Sequence, residues 1–105
     1  MKIEIPFNEW SKHKLELGIK WATTRNKKYG DIGDTFEVVM DDGDIFKYKL
    51  ELVIKIPLWF IAYELFKPEG CSLPQEFIDV WDDIHPKKKY VPSQMVWFHY
   101  FRMIN

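Results

Sequence analysis

Cysteine is nearly absent from this chain of 105 residues, and long apolar runs are missing altogether. The single cysteine, Cys71, cannot form an internal disulfide, so the class of small disulfide-rich secreted domains is excluded and a reducing, cytoplasmic location is expected. The longest apolar run, residues 56–63, is far shorter than the ~20 residues that span a bilayer. Residues 1–10 contain no apolar segment typical of a signal peptide. We therefore expect no membrane partner.

An excess of charge of one sign is also missing, because 15 basic and 16 acidic residues give a net charge of −1. Proteins that bind duplex nucleic acid through many phosphates usually carry a strong basic excess, so this class is disfavoured. The basic residues are nevertheless clustered, at Lys12, Lys14, Lys20, Arg25, Lys27 and Lys28 and again at Lys87, Lys88 and Lys89. Each lysine cluster is expected to be a solvated surface unless the clusters meet in space and form one basic face.

Metal-ligand spacing and phosphate-binding loops are absent too. The three histidines and Cys71 are scattered along the chain, and no glycine-rich loop precedes a lysine. We therefore predict no metal site and no cofactor. His99 lies among aromatic residues and is expected to be a hydrogen-bonded core residue.

Hydrophobic residues are plentiful, at 47% of the chain, and the aromatic residues Phe, Trp and Tyr alone account for 17% of the chain. This composition predicts a folded globule, and the length predicts a single domain over residues 1–105. By periodicity, Trp21, Trp59, Trp81 and Trp97 are expected chiefly in the core, although one exposed aromatic side chain could stack on a base.

The pattern of apolar residues predicts about five strands and about three helices. The strands are expected near residues 3–5, 21–25, 35–40, 46–56 and 95–104, and the helices near residues 8–17, 58–65 and 77–84. Asn8 is expected to cap the first helix, Gly18 to end it, and Ser72 and Gln75 to form a capping box before the last helix. Strict alternation over residues 46–56 predicts one buried and one wet face. The fold class is therefore α+β, with a small, curled, mostly antiparallel sheet.

The segment from Gly18 to Arg25 combines a lysine, two threonine hydroxyls and an arginine, a mixture that no hydrophobic core needs. Lys20 is either a solvated lysine or, if it is buried, a base whose pKa falls from ~10.4 toward 7–8. Adjacent strand residues point to opposite faces, so only one of Thr23 and Thr24 is expected to share a pocket with Lys20. Strict alternation from Lys20 favours Thr24.

Two further polar residues are candidates. Arg25 is expected on the same strand face as Thr23, where its planar fork could bind a phosphate or a carbonyl. An ion pair between Arg25 and one of the aspartates just downstream is slightly favoured. Glu69 lies on a short Pro/Gly connection between two helices, which would hold its carboxylate in place, although an exposed loop glutamate is the simpler interpretation.

Read as Gly-x-Lys-x-x-Thr-x-Arg, residues 18–25 resemble the signature of the ASCH family, small domains related to the PUA RNA-binding fold. Residues 28–36, the segment from Glu69 to Pro86 and the closing aromatic strand resemble later parts of the same family. Together these segments cover most of the chain. The resemblance implies a PUA-like β-barrel with a cleft lined by the signature.

One small bacterial branch of this family hydrolyses the amide of N4-acetylcytidine. The resemblance implies that Lys20, Thr23 and Glu69 are catalytic: Lys20 would activate the Thr23 hydroxyl, and Glu69 would orient the lysine or relay protons. Thr24 is a second possible nucleophile, and Arg25, Thr24 and Trp21 are candidate ligand-binding residues. The expected partner is a modified nucleoside or single-stranded RNA, and the alternative function is an RNA-binding module with a basic cleft, with or without RNA-cleaving activity.

Overall fold

A computed structural model describes residues 1–105, which form three helices and four strands. In chain order these are α1 (Glu9–Glu16), β1 (Ala22–Arg25), β2 (Thr35–Val39), β3 (Ile45–Pro57), α2 (Leu58–Glu64), α3 (Pro74–Ile84) and β4 (Met95–Met103). The strands make one antiparallel sheet in the order β1-β4-β3-β2, curled into half a barrel. The α+β class is confirmed, as is the pairing of the last strand inside the sheet. None of the helices has the length and apolar character that crossing a membrane requires.

The sheet has four strands where five were predicted, because residues 3–5 do not form a strand. Near the N-terminus there is only an isolated parallel bridge between Lys2 and Thr35. The Ile3 amide donates to the Thr35 carbonyl at 2.8 Å, and the Thr35 amide donates to the Met1 carbonyl at 2.9 Å. Pro6 lacks the N–H that would extend this pairing, so the segment ends as an edge contact.

Local signals set most element boundaries. The Asn8 side chain accepts a hydrogen bond from the Ser11 amide at 2.8 Å and caps α1. Gly18 follows the end of α1 with a φ of 74°, a conformation that favours glycine. The capping box predicted at Ser72 is wrong by one residue, because Leu73 is the N-cap of α3 and Pro74 occupies its first turn. Proline is well suited to that position, since its missing N–H has no partner there anyway.

The sheet separates two hydrophobic clusters. One packs α2 and α3 against Phe98, and the other packs Leu15 and Phe36 against Phe101. Phe98 and Phe101 are three residues apart on one strand, so they point to opposite faces. The prediction of a single buried face on β3 is wrong because a bulge between Leu50 and Leu52 shifts the register.

This bulge moves the even-numbered side chains of β3 from one face to the other. Tyr48 and Leu50 belong to the cluster around Phe101, whereas Ile54 and Ile56 pack against the cluster around Phe98. Both faces of the sheet are therefore covered.

The tryptophans divide between core and surface. Trp81 is buried, but Trp21 and Trp59 are 49% and 43% exposed, so their predicted core positions are wrong.

Candidate active site

A cavity of about 670 Å³ opens where α1, β1, the turn before α3, and α3 itself come together. The lining residues come from four separate stretches of the chain: Pro6, Phe7, Asn8, Trp10 and Ser11; Lys20, Thr23, Thr24, Arg25, Asn26, Lys27 and Tyr29; Glu69 and Cys71; and Phe77, Val80, Trp81, Ile84 and His85. The volume falls in the range of small-molecule sites, which are mostly apolar with a few placed polar groups.

Lys20 and Glu69 form a buried pair at the wall of this cavity. They are 4% exposed each, although 49 positions separate them in the chain. The Lys20 Nζ donates to the Glu69 backbone carbonyl at 3.0 Å and lies 3.5 Å from the Glu69 Oε1. Burial lowers the pKa of Lys20, and the negative charge of Glu69 opposes that change only in part. Lys20 is thus a buried amine rather than a solvated cation.

Thr24 is connected to the same carboxylate. Its Oγ1 donates to the Glu69 Oε2 at 2.9 Å, so Glu69 bridges Lys20 and Thr24. Thr24 is 8% exposed. The alternation argument from Lys20 predicted this neighbour, and the structure brings the two residues together through Glu69.

Thr23 belongs to a second polar group in the same cavity. Its Oγ1 accepts a hydrogen bond from the Arg25 Nε at 3.1 Å. The Arg25 guanidinium also donates to the Pro6 carbonyl at 2.6 Å and lies over the rings of Phe7 and Tyr29, at 5.1 and 5.5 Å from their centroids. The expected placement of Arg25 and Thr23 on one strand face is confirmed.

The expected ion pair between Arg25 and a downstream aspartate is wrong. Arg25 has no carboxylate partner. The Pro6 carbonyl and the aromatic rings hold the guanidinium against the cavity instead. Even with Lys20 neutral, Arg25 and Lys27 face only one carboxylate there, so the cavity carries an excess of positive charge.

A tight turn positions Glu69. The Gly70 amide donates to the Lys67 carbonyl at 2.9 Å, and Gly70 has a φ of 94°. The Pro68 carbonyl accepts from the amides of Trp21 and Ala22 at 2.6 and 2.9 Å. These bonds fasten the turn to the start of β1, which is why the Glu69 carboxylate reaches the polar residues of that strand.

Trp21 lies outside this cavity. Its Nε1 donates to the Gly18 carbonyl at 3.1 Å, and its ring borders a smaller depression of about 440 Å³. A ligand in the main cavity would not reach Trp21. The ligand-binding role predicted for Trp21 therefore has no geometric support at this site.

Cys71 also lines the cavity, but its thiol is a poor nucleophile. Burial and the nearby carboxylates of Glu76 and Glu69 raise the pKa of Cys71 to about 12. The thiolate form, which is the reactive one, is therefore scarce at neutral pH.

His99 is fully buried and hydrogen-bonded, as predicted. Its Nε2 accepts from the Tyr29 amide at 3.1 Å, so its Nδ1 carries the proton and faces the Thr23 carbonyl at 3.3 Å. Burial lowers the pKa of His99, which keeps the ring neutral. His99 thus fastens the backbone of β1 to the loop that follows it. No group of three or more His, Cys, Asp and Glu side chains could hold a metal ion.

The aromatic lining was missed from the sequence. Phe7 and Trp10 flank the cap residue of α1, and Trp81 and His85 share one face of α3. The spacing of Trp81 and His85, four residues apart on a helix, was the available signal. Periodicity alone does not distinguish a core face from a cavity wall.

No protein-family model and no curated protein matches this chain. Solved structures of other proteins do match this chain. Hypothetical protein PH0355 superposes with a TM-score of 0.69 at 16% identity, over 99% of this chain and 100% of that one. An ASCH domain from Lactobacillus crispatus JV V101 superposes with a TM-score of 0.58 at 12% identity, over 97% of this chain and 77% of the other. The chain has the ASCH fold.

A third structure agrees with this assignment. Protein EF3133 from Enterococcus faecalis V583, of the domain family DUF984, superposes with a TM-score of 0.62 at 14% identity over 85% of this chain. The match spans 63% of the Enterococcus faecalis protein. At these identities the likeness is one of fold, and it confirms the ASCH-type architecture that the motifs of residues 18–25, 28–36 and 69–86 predicted.

Proposed function

We propose that this ASCH-fold protein is a small hydrolase that cleaves the amide of an N4-acylated, cytidine-like nucleoside. The observation that carries the proposal is the meeting of Lys20, Thr23, Thr24 and Glu69 at one cavity of about 670 Å³. A hydroxyl, a buried amine and a carboxylate that orients the amine are suited to amide hydrolysis through a covalent intermediate, in which a base activates a nucleophile. We further propose that residues 1–105 act as one domain in the cytoplasm.

In this proposal the Thr23 oxygen is the nucleophile and Lys20, in its neutral form, is the base. The Thr23 Oγ1 forms a bond to the acyl carbon while its proton passes to the Lys20 Nζ. The bond between the acyl carbon and the exocyclic nitrogen then breaks, and that nitrogen takes the proton. Water finally hydrolyses the acyl-threonine ester, which releases the carboxylic acid and restores the hydroxyl.

The contacts around Thr23 support its role. The Arg25 Nε donates to the Thr23 Oγ1, and this positive neighbour favours loss of the hydroxyl proton from Thr23. Thr24 already donates its hydroxyl proton to Glu69. We therefore assign Thr24 a positioning role, in which it holds the carboxylate that orients Lys20.

The test is hydrolysis of N4-acetylcytidine by the purified protein, followed as release of cytidine. Removing a general base typically costs 10²–10⁴ in rate, so Lys20→Met is expected to lower kcat/KM by about that factor. Lys47→Met, at an exposed position on β3, is the matched control and should keep full activity. Absence of turnover across a range of pH would rule out the function, and a fully active Lys20→Met variant would rule out the mechanism.

The second candidate function is binding of single-stranded RNA, with or without its cleavage. Arg25 and Lys27 line the cavity with only one carboxylate, and Arg25 has no acidic partner. A phosphate-binding mode predicts affinity that falls steeply with salt. Weak or salt-independent RNA binding, together with turnover of the nucleoside, would decide for the hydrolase.

A further inference from the structure

Four cations and two aromatic rings form a continuous surface that begins in the cavity and continues across the sheet. Three of its members, Arg25, Lys27 and Tyr29, line the cavity. The Arg25 Cζ and the Lys27 Nζ lie 5.5 and 4.8 Å from the centroid of the Tyr29 ring. We call this surface the basic strip, and its members are Arg25, Lys27, Lys28, Tyr29, Lys55 and Trp97.

Strand pairing extends the basic strip beyond the cavity. Trp97 on β4 is the register partner of Arg25 on β1 and of Lys55 on β3. Residues paired in this way on neighbouring strands lie side by side on the same face of the sheet. The Nζ atoms of Lys28 and Lys55 lie 5.6 and 5.9 Å from the centroid of the Trp97 ring. The positive charge of the cavity therefore continues onto the adjoining face of the sheet.

The charges of the basic strip are held in place but are largely uncompensated. An aromatic ring attracts a cation without cancelling its charge, whereas a carboxylate cancels it. Of the four cations, only Lys28 has a carboxylate partner, Asp31, and both residues are exposed. Arg25 bonds to the neutral groups of Thr23 and Pro6. The basic strip is therefore a local positive excess on a chain whose net charge is −1.

We propose that the basic strip binds a phosphate group of the ligand whose base occupies the cavity, so that the substrate is a nucleotide and not a free nucleoside. This inference rests on the proposed function and names its substrate class. The phosphate belongs to a mononucleotide or to a single-stranded oligonucleotide, and the experiment below distinguishes these two sources.

The shape of a nucleotide agrees with this arrangement. The sugar of a pyrimidine nucleoside is attached across the ring from the exocyclic nitrogen. With the acyl group at Thr23, the sugar and its phosphate lie away from that residue, where Lys27, Lys28 and Lys55 are the available cations. All three lysines are exposed, and lysine binds phosphate as a point charge. A free nucleoside carries no anionic group that would use them.

The test measures ligand binding by the Thr23→Val protein, which is expected to leave the ligand intact. The ligands are cytidine, N4-acetylcytidine, the 5′-monophosphates of both, and a trinucleotide with N4-acetylcytidine in the middle. We expect the monophosphate or the phosphodiesters to tighten binding by roughly 10- to 100-fold, as charge-assisted contacts do. This gain should decrease steeply with salt, whereas the affinity for the nucleosides should change little.

Lysine variants assign the gain in affinity to the basic strip. Lys27→Met and Lys55→Met are each expected to lower the ratio of nucleotide to nucleoside affinity by about 3- to 10-fold, and the double variant should remove most of the gain. Lys47→Met is the matched control, because Lys47 is exposed on the same strand as Lys55 but lies outside the basic strip. Its ratio should equal that of the Thr23→Val protein without a lysine substitution.

The kinetics of the unmodified protein give a second readout. The monophosphate of N4-acetylcytidine is expected to have a lower KM than N4-acetylcytidine, with a similar kcat. A contact far from the reacting atoms stabilises the bound substrate and the transition state equally, and so changes KM alone.

The outcomes separate this inference from the proposed function. If no phosphate-bearing ligand binds more tightly, or if the gain persists in the double variant, the inference is overturned even where N4-acetylcytidine is hydrolysed. If the gain depends on these lysines but no acetylated ligand is hydrolysed, the proposed function is wrong and the phosphate-binding role stands. A gain that is complete with the monophosphate identifies a mononucleotide, and a gain seen only with the trinucleotide identifies an oligonucleotide.

Discussion

At the scale of single residues, the site depends on two adjacent threonines with different partners. Thr24 donates to Glu69, and Thr23 accepts from Arg25. Neighbours on a regular strand point to opposite sides, so only one of them was expected to share the pocket with Lys20, but this prediction is wrong because both line the cavity. Two lines of reasoning from the sequence favoured different threonines, and the structure brings each of them to the cavity with a different polar group.

Replacing each threonine by valine separates the nucleophile from the positioning residue. Thr23→Val is expected to abolish turnover of N4-acetylcytidine, because the attacking oxygen is lost. Thr24→Val should retain measurable kcat, lowered by about 10-fold, since Glu69 loses one hydrogen bond while the nucleophile remains. The measurement is kcat and KM for both variants, and retained activity in Thr23→Val with none in Thr24→Val would reverse the assignment.

The buried amine of Lys20 gives a pH dependence with a definite sign. Burial lowers the pKa of Lys20 below its usual 10.5, so kcat/KM should rise with pH through that lowered value as the neutral base forms. Stability should rise in the same direction up to about pH 10.5, since the unfolded chain binds more protons in this window.

Glu69→Gln supplies the control for this profile. The Glu69 charge raises the pKa of Lys20, so its removal should shift the rising limb of kcat/KM to lower pH. A shift to higher pH, or no shift, would contradict the assignment of that limb to Lys20.

At the scale of elements, the site depends on the turn of residues 67–70, which holds Glu69 beside β1. It docks on the start of β1 through the Pro68 carbonyl. Gly70 has a φ of 94°, and a Cβ there would lie 3.2 Å from the Cβ atoms of both Lys14 and Lys20. The turn therefore requires a residue without a side chain, both for its backbone conformation and for its close packing against Lys20.

Gly70→Ala is expected to lower the free energy of unfolding by about 1–3 kcal/mol, from the strained φ, with a further cost from the contact with Lys20. Gly43→Ala is the matched control, because Gly43 has a φ of 91° and open space around its Cβ position. Denaturant unfolding of the two variants measures the difference. Equal losses in both would show that the packing against Lys20 costs nothing.

The helices and strands could be predicted in large part from local patterns. Asn8 and Gly18 bound α1 as expected, and the alternation over β3 located that strand. The errors in the predicted elements arise from features that local sequence patterns do not reveal. Pro74 moved the cap of α3 by one residue, and the bulge between Leu50 and Leu52 redirected half of β3.

At the scale of the whole molecule, the cavity exists because four segments far apart in the chain converge beside the edge strand β1. Phe7 and Trp10 come from the N-terminal part, Glu69 from the turn, and Trp81 from α3. The radius of gyration is 13.1 Å, close to the ~13 Å expected of a compact domain of 100 residues. Because the fold is small, both the sheet and the helices contribute walls to this one cavity.

The sequence by itself determined the α+β class, most element positions and the polar residues of the 18–25 segment, because these follow from local spacing and side-chain chemistry. Only the tertiary structure decided that Glu69 joins Lys20 to Thr24 and that Arg25 lacks an acidic partner. The first depends on contacts across 45 or more positions, and the second on the Pro6 carbonyl, 19 positions away, and on the rings of Phe7 and Tyr29. Local sequence patterns carry no information about either.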